Sequence, residues 1–174
     1  MNTLMHICCA PCANRPIARL REEGVCVTGF WFNPNIHPYT EYQARKRTLE
    51  EYSKEIGMKL VIGGSYDLRP FITAVAGDID GRCAYCYRVR MEEAARYAAR
   101  NGFDSFTTSL LISPYQNHEA IAAAALFHDA PEIITGDMPT PIKYYNPSLK
   151  NAYKQVEAAA QDKLLSMLPP ELAP

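Results

Sequence analysis

Residues 25–32, Val-Cys-Val-Thr-Gly-Phe-Trp-Phe, carry the strongest strand signal in the chain because β-branched and aromatic side chains dominate them. Asn33-Pro34-Asn35 follows directly and is typical of a turn, so we expect the strand to end at Phe32. Shorter apolar runs predict three further strands by the same reasoning. They cover residues 4–7, 59–62 and 105–112.

Helical signals separate these strands. Thr40-Glu41-Tyr42-Gln43 matches a capping box, and Gly57 lies where the helix that follows would end. A second helix is expected over residues 82–100, before Asn101-Gly102, and Asn117 is expected to cap a third. The alternation of strands and helices predicts a single α/β domain with a mainly parallel sheet and flanking helices.

The composition fits one globular domain. The chain has 174 residues, 48% of them hydrophobic, and a net charge of −1, so no overall field attracts nucleic acid. We expect an α/β domain over residues 1–130 and a divergent C-terminal extension of it over residues 131–174, with one more helix over residues 148–168. The absence of a signal-like opening or a long apolar run favours a cytoplasmic protein with reduced cysteines and no membrane partner.

Five of the six cysteines lie in two tight groups, Cys8-Cys9-Ala10-Pro11-Cys12 and Cys83-Ala84-Tyr85-Cys86. Cys26 stands alone in an apolar run and is expected to be an ordinary buried cysteine. The two groups are far apart in sequence, as expected for two halves of one metal site that folding closes. Zinc sites and iron–sulfur clusters each commonly take four ligands, so five thiols exceed the need of either.

The predicted elements place both groups where a site is expected. Cys8 and Cys9 follow the first strand, and ligands of open α/β sheets gather beyond the carboxyl ends of the strands. A turn at Ala10-Pro11 is needed for both thiols to reach one centre, and Pro11 suits the first helical position. Cys83 and Cys86 share one face at the positive end of a helix, which favours thiolate over thiol.

Three interpretations of the cysteines remain open on this basis. A Cys-x-x-Cys pair is typical of thioredoxin-like redox sites, although a second cysteine group is not. Structural zinc usually takes two separated pairs and not a Cys-Cys doublet. An iron–sulfur cluster is the interpretation that the pattern favours most.

Polar residues near these groups are candidates for substrate contacts. Asn33, Asn35 and His37 follow the 25–32 strand, and Arg45 and Arg88 are basic groups that flank the predicted site. Turn formation explains the asparagines equally well, and arginines are common on solvated helix faces.

These motifs resemble the QueH family of epoxyqueuosine reductases, in order and at family-like spacing from about residue 4 to 120. The residues that carry the resemblance are 6–12 (HICCAPC), 32–36 (FNPNI), Glu41-Tyr42 with Arg45, 82–90 (RCAYCYRVR) and 106–117 (FTTSLLISPYQN). The resemblance implies a Rossmann-like, nucleotide-hydrolase-like α/β fold. It also implies reductive removal of the epoxide oxygen from epoxyqueuosine at the wobble position of tRNA, which yields queuosine.

The resemblance also implies roles for single residues. Cys8, Cys9, Cys83 and Cys86 would hold a 4Fe–4S cluster, which makes residues 1–130 an iron–sulfur catalytic domain. Cys12 lies near the cluster and would be free to bind an additional mononuclear iron. A proton donor is needed as well.

The candidates for the proton donor are Tyr85, His37 and a bound water, with Cys12 as a further catalytic candidate. Asn33, Asn35, Arg45 and Arg88 would contact the substrate.

The chain departs from the family pattern in one respect. Family members usually carry a Cys-x-Cys pair near the C-terminus that resembles a redox-active disulfide, whereas no cysteine follows Cys86 here. Electrons would then come from an external donor. Two alternatives follow: a metal-bound tRNA-binding module without catalytic activity, and a nucleotide-binding protein with structural zinc.

Overall fold

Four short parallel strands form the sheet of the computed structural model, which describes residues 1–126 together with Gln155 and Ala159. The strands are β1 (Asn2–His6), β2 (Cys26–Trp31), β3 (Leu60–Ile62) and β4 (Ser105–Thr108), in the order β3-β2-β1-β4. The register pairs His6 of β1 with Phe30 of β2 and with Thr108 of β4, so these three strands end close together. The predicted α/β fold with a parallel sheet is confirmed.

Five helices follow or separate the strands in the described part of the chain. They are α1 (Ala10–Glu22), α2 (Tyr39–Glu55), α3 (Arg69–Val75), α4 (Arg82–Arg100) and α5 (His118–Leu126), with a single 3-10 turn at Ser109–Ile112. The predicted bounds of α4 are confirmed, and so is the cap of α5, where Asn117 Oδ1 accepts a hydrogen bond of 2.9 Å from the Ala120 N–H. The sequence patterns did not predict α3.

The two faces of the sheet pack against different helices. Met5, Ile7 and Trp31 contribute to one core with residues of α1 and α2. Leu4 and Phe30 pack on the other side with Ala94 and Ala98 of α4.

The ring of Phe30 also stacks on Tyr97 of α4, with 4.9 Å between ring centroids. Since alternate residues of one strand serve both cores, the sheet fixes α1 and α4 on its opposite faces.

Gly29 in the middle of β2 allows close packing on the first of these faces. A Cβ atom there would lie 2.8 Å from the Met58 side chain and 3.0 Å from that of Leu60. Such contacts are too short for carbon atoms, so a larger residue would have to move the ends of the Met58 and Leu60 side chains.

Two local predictions were wrong. The strand predicted over residues 105–112 ends at Thr108, because the Thr108 hydroxyl accepts a hydrogen bond from the Leu110 N–H and the chain turns into the 3-10 segment. The capping box was also wrong. The backbone carbonyl of Pro38 accepts hydrogen bonds from the Glu41 and Tyr42 N–H groups, so α2 begins before Thr40 and has no side-chain cap.

The prediction that Cys26 is buried was wrong as well. Cys26 is exposed because it begins β2 at the amino end of the sheet, where its N–H bonds the Met1 carbonyl. The core residues of β2 start at Val27. Strand propensity therefore identified the strand but not the face that its first residue presents.

Residues Met1–Ala125 form one compact unit. The helix predicted over residues 148–168 lies outside the described residues except for Gln155 and Ala159, which are helical. The extension over residues 131–174 stays a prediction. Within the described part of the chain, no helix combines the length and apolar character needed to cross a membrane.

Candidate metal centre

Three thiols meet where β1 leads into α1. The Sγ atoms of Cys9 and Cys12 are 2.7 Å apart, and those of Cys8 and Cys9 are 3.9 Å apart. All three lie within 4.8 Å of one another, close enough for one metal ion to contact each of them. We call these three residues the N-terminal thiol group.

The backbone at the start of α1 explains this arrangement. Cys9 is extended and forms the N-cap of the helix, and Ala10-Pro11 provides the first helical residues. Pro11 is tolerated there because the first N–H groups of a helix have no partner within the helix. Cys12 comes three residues after Cys9, so the first helical turn returns its thiol to the Cys9 side. The predicted turn at Ala10-Pro11 is confirmed.

Ser109, directly after β4, holds the N-terminal thiol group. Its Oγ accepts a hydrogen bond of 3.1 Å from the Cys8 N–H and donates to the Cys8 Sγ at 3.4 Å. Ser109 is fully buried and begins the 3-10 turn that the sequence had predicted as strand. Sequence reasoning gave Ser109 no individual role, since it treated residues 105–112 as one strand.

Cys83 and Cys86 lie on the first two turns of α4, and we call them the α4 thiol pair. Cys83 is exposed and Cys86 is half-buried. Both line a cavity of about 450 Å³ that Cys8 and Cys12 also line. The structure therefore brings Cys8 and Cys12 to one cavity with the α4 thiol pair, whereas Cys9 is not among the lining residues. The role of these cysteines as ligands of one centre stays a prediction.

The other candidate residues differ in their relation to this cavity. Asn35, His37 and Arg45 line it, whereas Asn33, Tyr85 and Arg88 are not among its lining residues. Arg45 is ion-paired with Glu41 at 2.6 Å, and that pair keeps its pKa above the usual range although burial acts in the opposite direction. Their proposed contacts with substrate stay predictions.

Asn33 has a clear structural role. It is buried, and its Nδ2 donates a hydrogen bond of 2.9 Å to the Ile7 carbonyl at the end of β1. This bond ties the turn after β2 to the residue that precedes the N-terminal thiol group.

Tyr85 and Arg88 interact with each other beside the cavity. The Arg88 guanidinium lies 5.7 Å from the centre of the Tyr85 ring, a cation–π contact, and Arg88 is also ion-paired with Glu92 at 3.6 Å. Burial raises the pKa of the Tyr85 hydroxyl, so this phenol stays protonated at neutral pH.

His37 offers a second proton-carrying group. Its Nδ1 is 3.1 Å from the Tyr66 hydroxyl, while its Nε2 is buried with no hydrogen-bond partner among the described residues. Burial lowers the pKa of this imidazole. A ring nitrogen without a partner in a residue that lines the cavity is available to a bound molecule.

Burial and mutual contact control the ionisation of the thiols. The contact with Cys9, and then burial, raise the pKa of Cys8, whereas the contact with Cys8 lowers that of Cys9. Burial raises the pKa values of Cys12 and Cys86. Most of these thiols are therefore protonated in the metal-free protein, and a bound cation would favour their thiolate forms.

His6 joins three strands directly beneath the N-terminal thiol group. The Phe32 carbonyl can only accept, so Nε2 of His6 carries the proton that bonds it at 3.1 Å. Nδ1 then accepts from the Thr108 hydroxyl at 2.9 Å. Burial, and secondarily the charge of Arg90, lower the pKa of His6 to about 3, so the ring is neutral at pH 7.

The sequence that carries these cysteines matches a known protein family. The family model for epoxyqueuosine reductase QueH matches residues 3–159. The chain belongs to the QueH family. The QueH-type resemblance of the cysteine motifs is thereby confirmed.

Individual relatives agree with this membership. An epoxyqueuosine reductase QueH of Dehalococcoides mccartyi is 38% identical over 122 residues, which are 70% of this chain and 67% of that protein. The QueH of Histophilus somni is 35% identical over 123 residues, which are 68% of this chain and 50% of that protein. The chain thus matches between one half and about two thirds of the length of these curated relatives.

A shorter part of the chain is similar to proteins of another kind. A 5′-deoxynucleotidase of Photobacterium profundum is 62% identical over 55 residues, which are 32% of this chain and 28% of that protein.

Proposed function

We propose that this protein is an epoxyqueuosine reductase that acts on the wobble base of tRNA. The observation that carries the proposal is the meeting of two cysteine groups at one cavity, beside the carboxyl edge of the sheet, in a member of the QueH family. The reaction removes the epoxide oxygen as water, so it consumes two electrons and two protons. The alkene of queuosine is formed.

The donor set fits an iron–sulfur cluster. We propose Cys8, Cys9, Cys83 and Cys86 as the four ligands, since such clusters are commonly held by four thiolates. Cys12 then remains free to bind an additional mononuclear iron. Its sulfur is 2.7 Å from that of Cys9, which supports a position of this iron beside the cluster. When bound, the metal groups would pass on electrons from the donor and supply a Lewis acid for the oxygen that leaves.

In this proposal the protein residues bind the substrate and protonate the oxygen that leaves. A cavity of about 450 Å³ has room for a modified base, and a base of an anticodon loop can enter it without the melting of a duplex. Asn35 and Arg45 present polar groups at the cavity, with Asn33 and Arg88 as outer candidates. His37, through its unpartnered Nε2, is favoured over Tyr85 as the proton donor because His37 lines the cavity.

The electrons come from an external donor in this proposal. All five clustered cysteines are assigned to metal, so none of these thiols is left to relay electrons. We also propose a cytoplasmic location, where tRNA is modified. All six cysteines are free thiols in the structure, in agreement with a reducing compartment.

The test begins with iron and acid-labile sulfide per chain in protein purified without oxygen, together with its visible spectrum. We expect about four of each and a broad absorbance near 400 nm, as for a 4Fe–4S cluster, and a fifth iron would indicate that Cys12 binds metal. Zinc without sulfide would overturn the reductase in favour of a nucleotide-binding protein with structural zinc.

Turnover is then measured with epoxyqueuosine-containing tRNA and a strong chemical reductant. We expect queuosine, detected by mass spectrometry of the digested tRNA. Protein that carries the cluster and binds this tRNA but forms no queuosine would instead be the catalytically inactive tRNA-binding module.

A second candidate function rests on the 62% identity to a 5′-deoxynucleotidase over 55 residues. We infer that a segment of this chain is related to such enzymes. Release of phosphate from a 5′-deoxynucleotide by the purified chain would establish the activity. Because the match covers 28% of the relative, we expect no release, and this chain would then carry only part of such an enzyme.

A further inference from the structure

Arg90 is a buried arginine at the centre of the cavity wall. It lies on α4, is 6% exposed and lines the cavity together with Cys8 and Cys86. Its Nε donates a hydrogen bond of 2.7 Å to Oδ1 of Asn35. The guanidinium is therefore held in place by a neutral amide that follows β2.

No carboxylate balances this charge in the described part of the chain. The ion pairs found there involve other arginines and lysines, and Glu41, which also lines the cavity, is paired with Arg45. An unpaired buried charge costs several kcal/mol. Burial accordingly lowers the pKa of Arg90, although arginine remains charged at neutral pH.

Two thiols are among the groups near Arg90 that can become negative. Arg90 follows Cys86 by four residues and Cys83 by seven, so α4 presents all three side chains on one face. Negative charge on Cys86 and on Cys8 would stabilise the guanidinium. The guanidinium that lacks a counter-charge and the thiols that could provide one thus line the same cavity.

We propose that Arg90, held in place by Asn35, balances the negative charge of the thiolate-bound metal centre. Its positive charge thereby raises the reduction potential of that centre. The inference rests on the cluster of the proposed function. Reduction adds one negative charge to the centre, and a nearby cation in a poorly solvated site stabilises the reduced form more than the oxidised form.

The test is a redox titration of the loaded protein, followed by the visible and electron paramagnetic resonance signals of the centre. We expect Arg90→Gln to lower the ratio of reduced to oxidised centre at least tenfold at fixed ambient potential, which is about 59 mV for one electron. Arg90→Lys keeps the charge and should retain most of the wild-type potential. Arg96→Gln removes another arginine of α4 that does not line the cavity, and should leave the potential unchanged.

A second variant keeps Arg90 and balances its positive charge with a carboxylate. Asn35→Asp places a carboxylate at the position of the present 2.7 Å hydrogen bond, so the guanidinium gains a local partner. We expect a shift to more negative potential in the same direction as for Arg90→Gln. This variant retains the buried arginine, so it provides the test if Arg90→Gln loses the centre or fails to fold.

The outcomes separate this inference from the proposed function. A loaded wild-type protein whose potential is the same as that of both Arg90→Gln and Asn35→Asp would overturn the role of Arg90 and leave the reductase standing. A wild-type protein that cannot be loaded with iron and sulfide would overturn the proposed function, and the inference with it.

Discussion

The N-terminal thiol group and the α4 thiol pair reach the same cavity by different physical routes. The first depends on local geometry, since one helical turn after Cys9 brings three thiols into contact. The second depends on tertiary packing, since the position of α4 is set by contacts such as the stack of Phe30 on Tyr97. A locally formed group of thiols is thus joined at the cavity by a helix that the sheet positions.

The largest expected effect is the loss of the metal centre when either route loses one ligand. Cys8→Ser and Cys83→Ser should each reduce bound iron and sulfide to less than about one tenth of the wild-type content, because a four-thiolate cluster lacks a ligand in both. The measurement is iron and sulfide per chain after anaerobic purification. Full iron content in either variant would remove that cysteine from the ligand set.

The sequence predicted local geometry, such as that of the N-terminal thiol group, better than tertiary contacts. The turn at Ala10-Pro11 and the bounds of α4 follow from residue preferences that act over a few positions. Ser109 was missed because the run before it continues as a plausible strand, and only the Thr108 hydroxyl reveals that it stops. Arg90 looked like Arg88, a basic residue near the cysteines, since sequence alone does not say which arginine is buried.

His6 lies beneath the N-terminal thiol group, and its burial predicts a pH effect. The pKa of His6 is about 3 in the folded chain against about 6.5 for an unperturbed histidine, so the unfolded chain binds the proton first as the pH falls. Stability is then present above pH 6.5 and is lost between pH 6.5 and 3, by up to about 1.4 kcal/mol per pH unit. Urea denaturation of the metal-free chain across this range measures the loss.

Two variants isolate the contribution of His6 from that of the carboxyl groups. His6→Gln should flatten the dependence of the unfolding free energy on pH, because the titrating ring is gone. His118→Gln changes an exposed histidine and should keep the wild-type slope. Equal slopes in all three proteins would show that the burial of His6 has no part in the pH dependence.

Ser109 provides a smaller test of how the N-terminal thiol group is held. Ser109→Ala leaves the buried Cys8 N–H without its 3.1 Å partner, which should cost about 1–3 kcal/mol. The α4 thiol pair has no bond to Ser109 among the described contacts, so the effect should be confined to the first route. Urea denaturation gives the free energy of unfolding.

Ser105→Ala is the matched control, in the strand that leads into the 3-10 turn of Ser109. The Ser105 hydroxyl is 2.9 Å from the Thr3 hydroxyl in a partly buried position. Removal of the Ser105 hydroxyl leaves no backbone donor of this bond without a partner. We expect a cost of about 1 kcal/mol or less. If Ser105→Ala proved as costly as Ser109→Ala, the bond to Cys8 would hold no special importance.

Cys26→Ser should have the smallest effect, because neither route includes this thiol. Cys26 is exposed at the start of β2, and its structural contact is a backbone hydrogen bond that serine keeps. The free energy of unfolding should change by no more than about 0.5 kcal/mol, as for most surface substitutions, and iron content should equal that of the wild type. A fall in iron would mean that this cysteine supplies a ligand, and the cavity between the two thiol groups could then not be the metal centre as assigned.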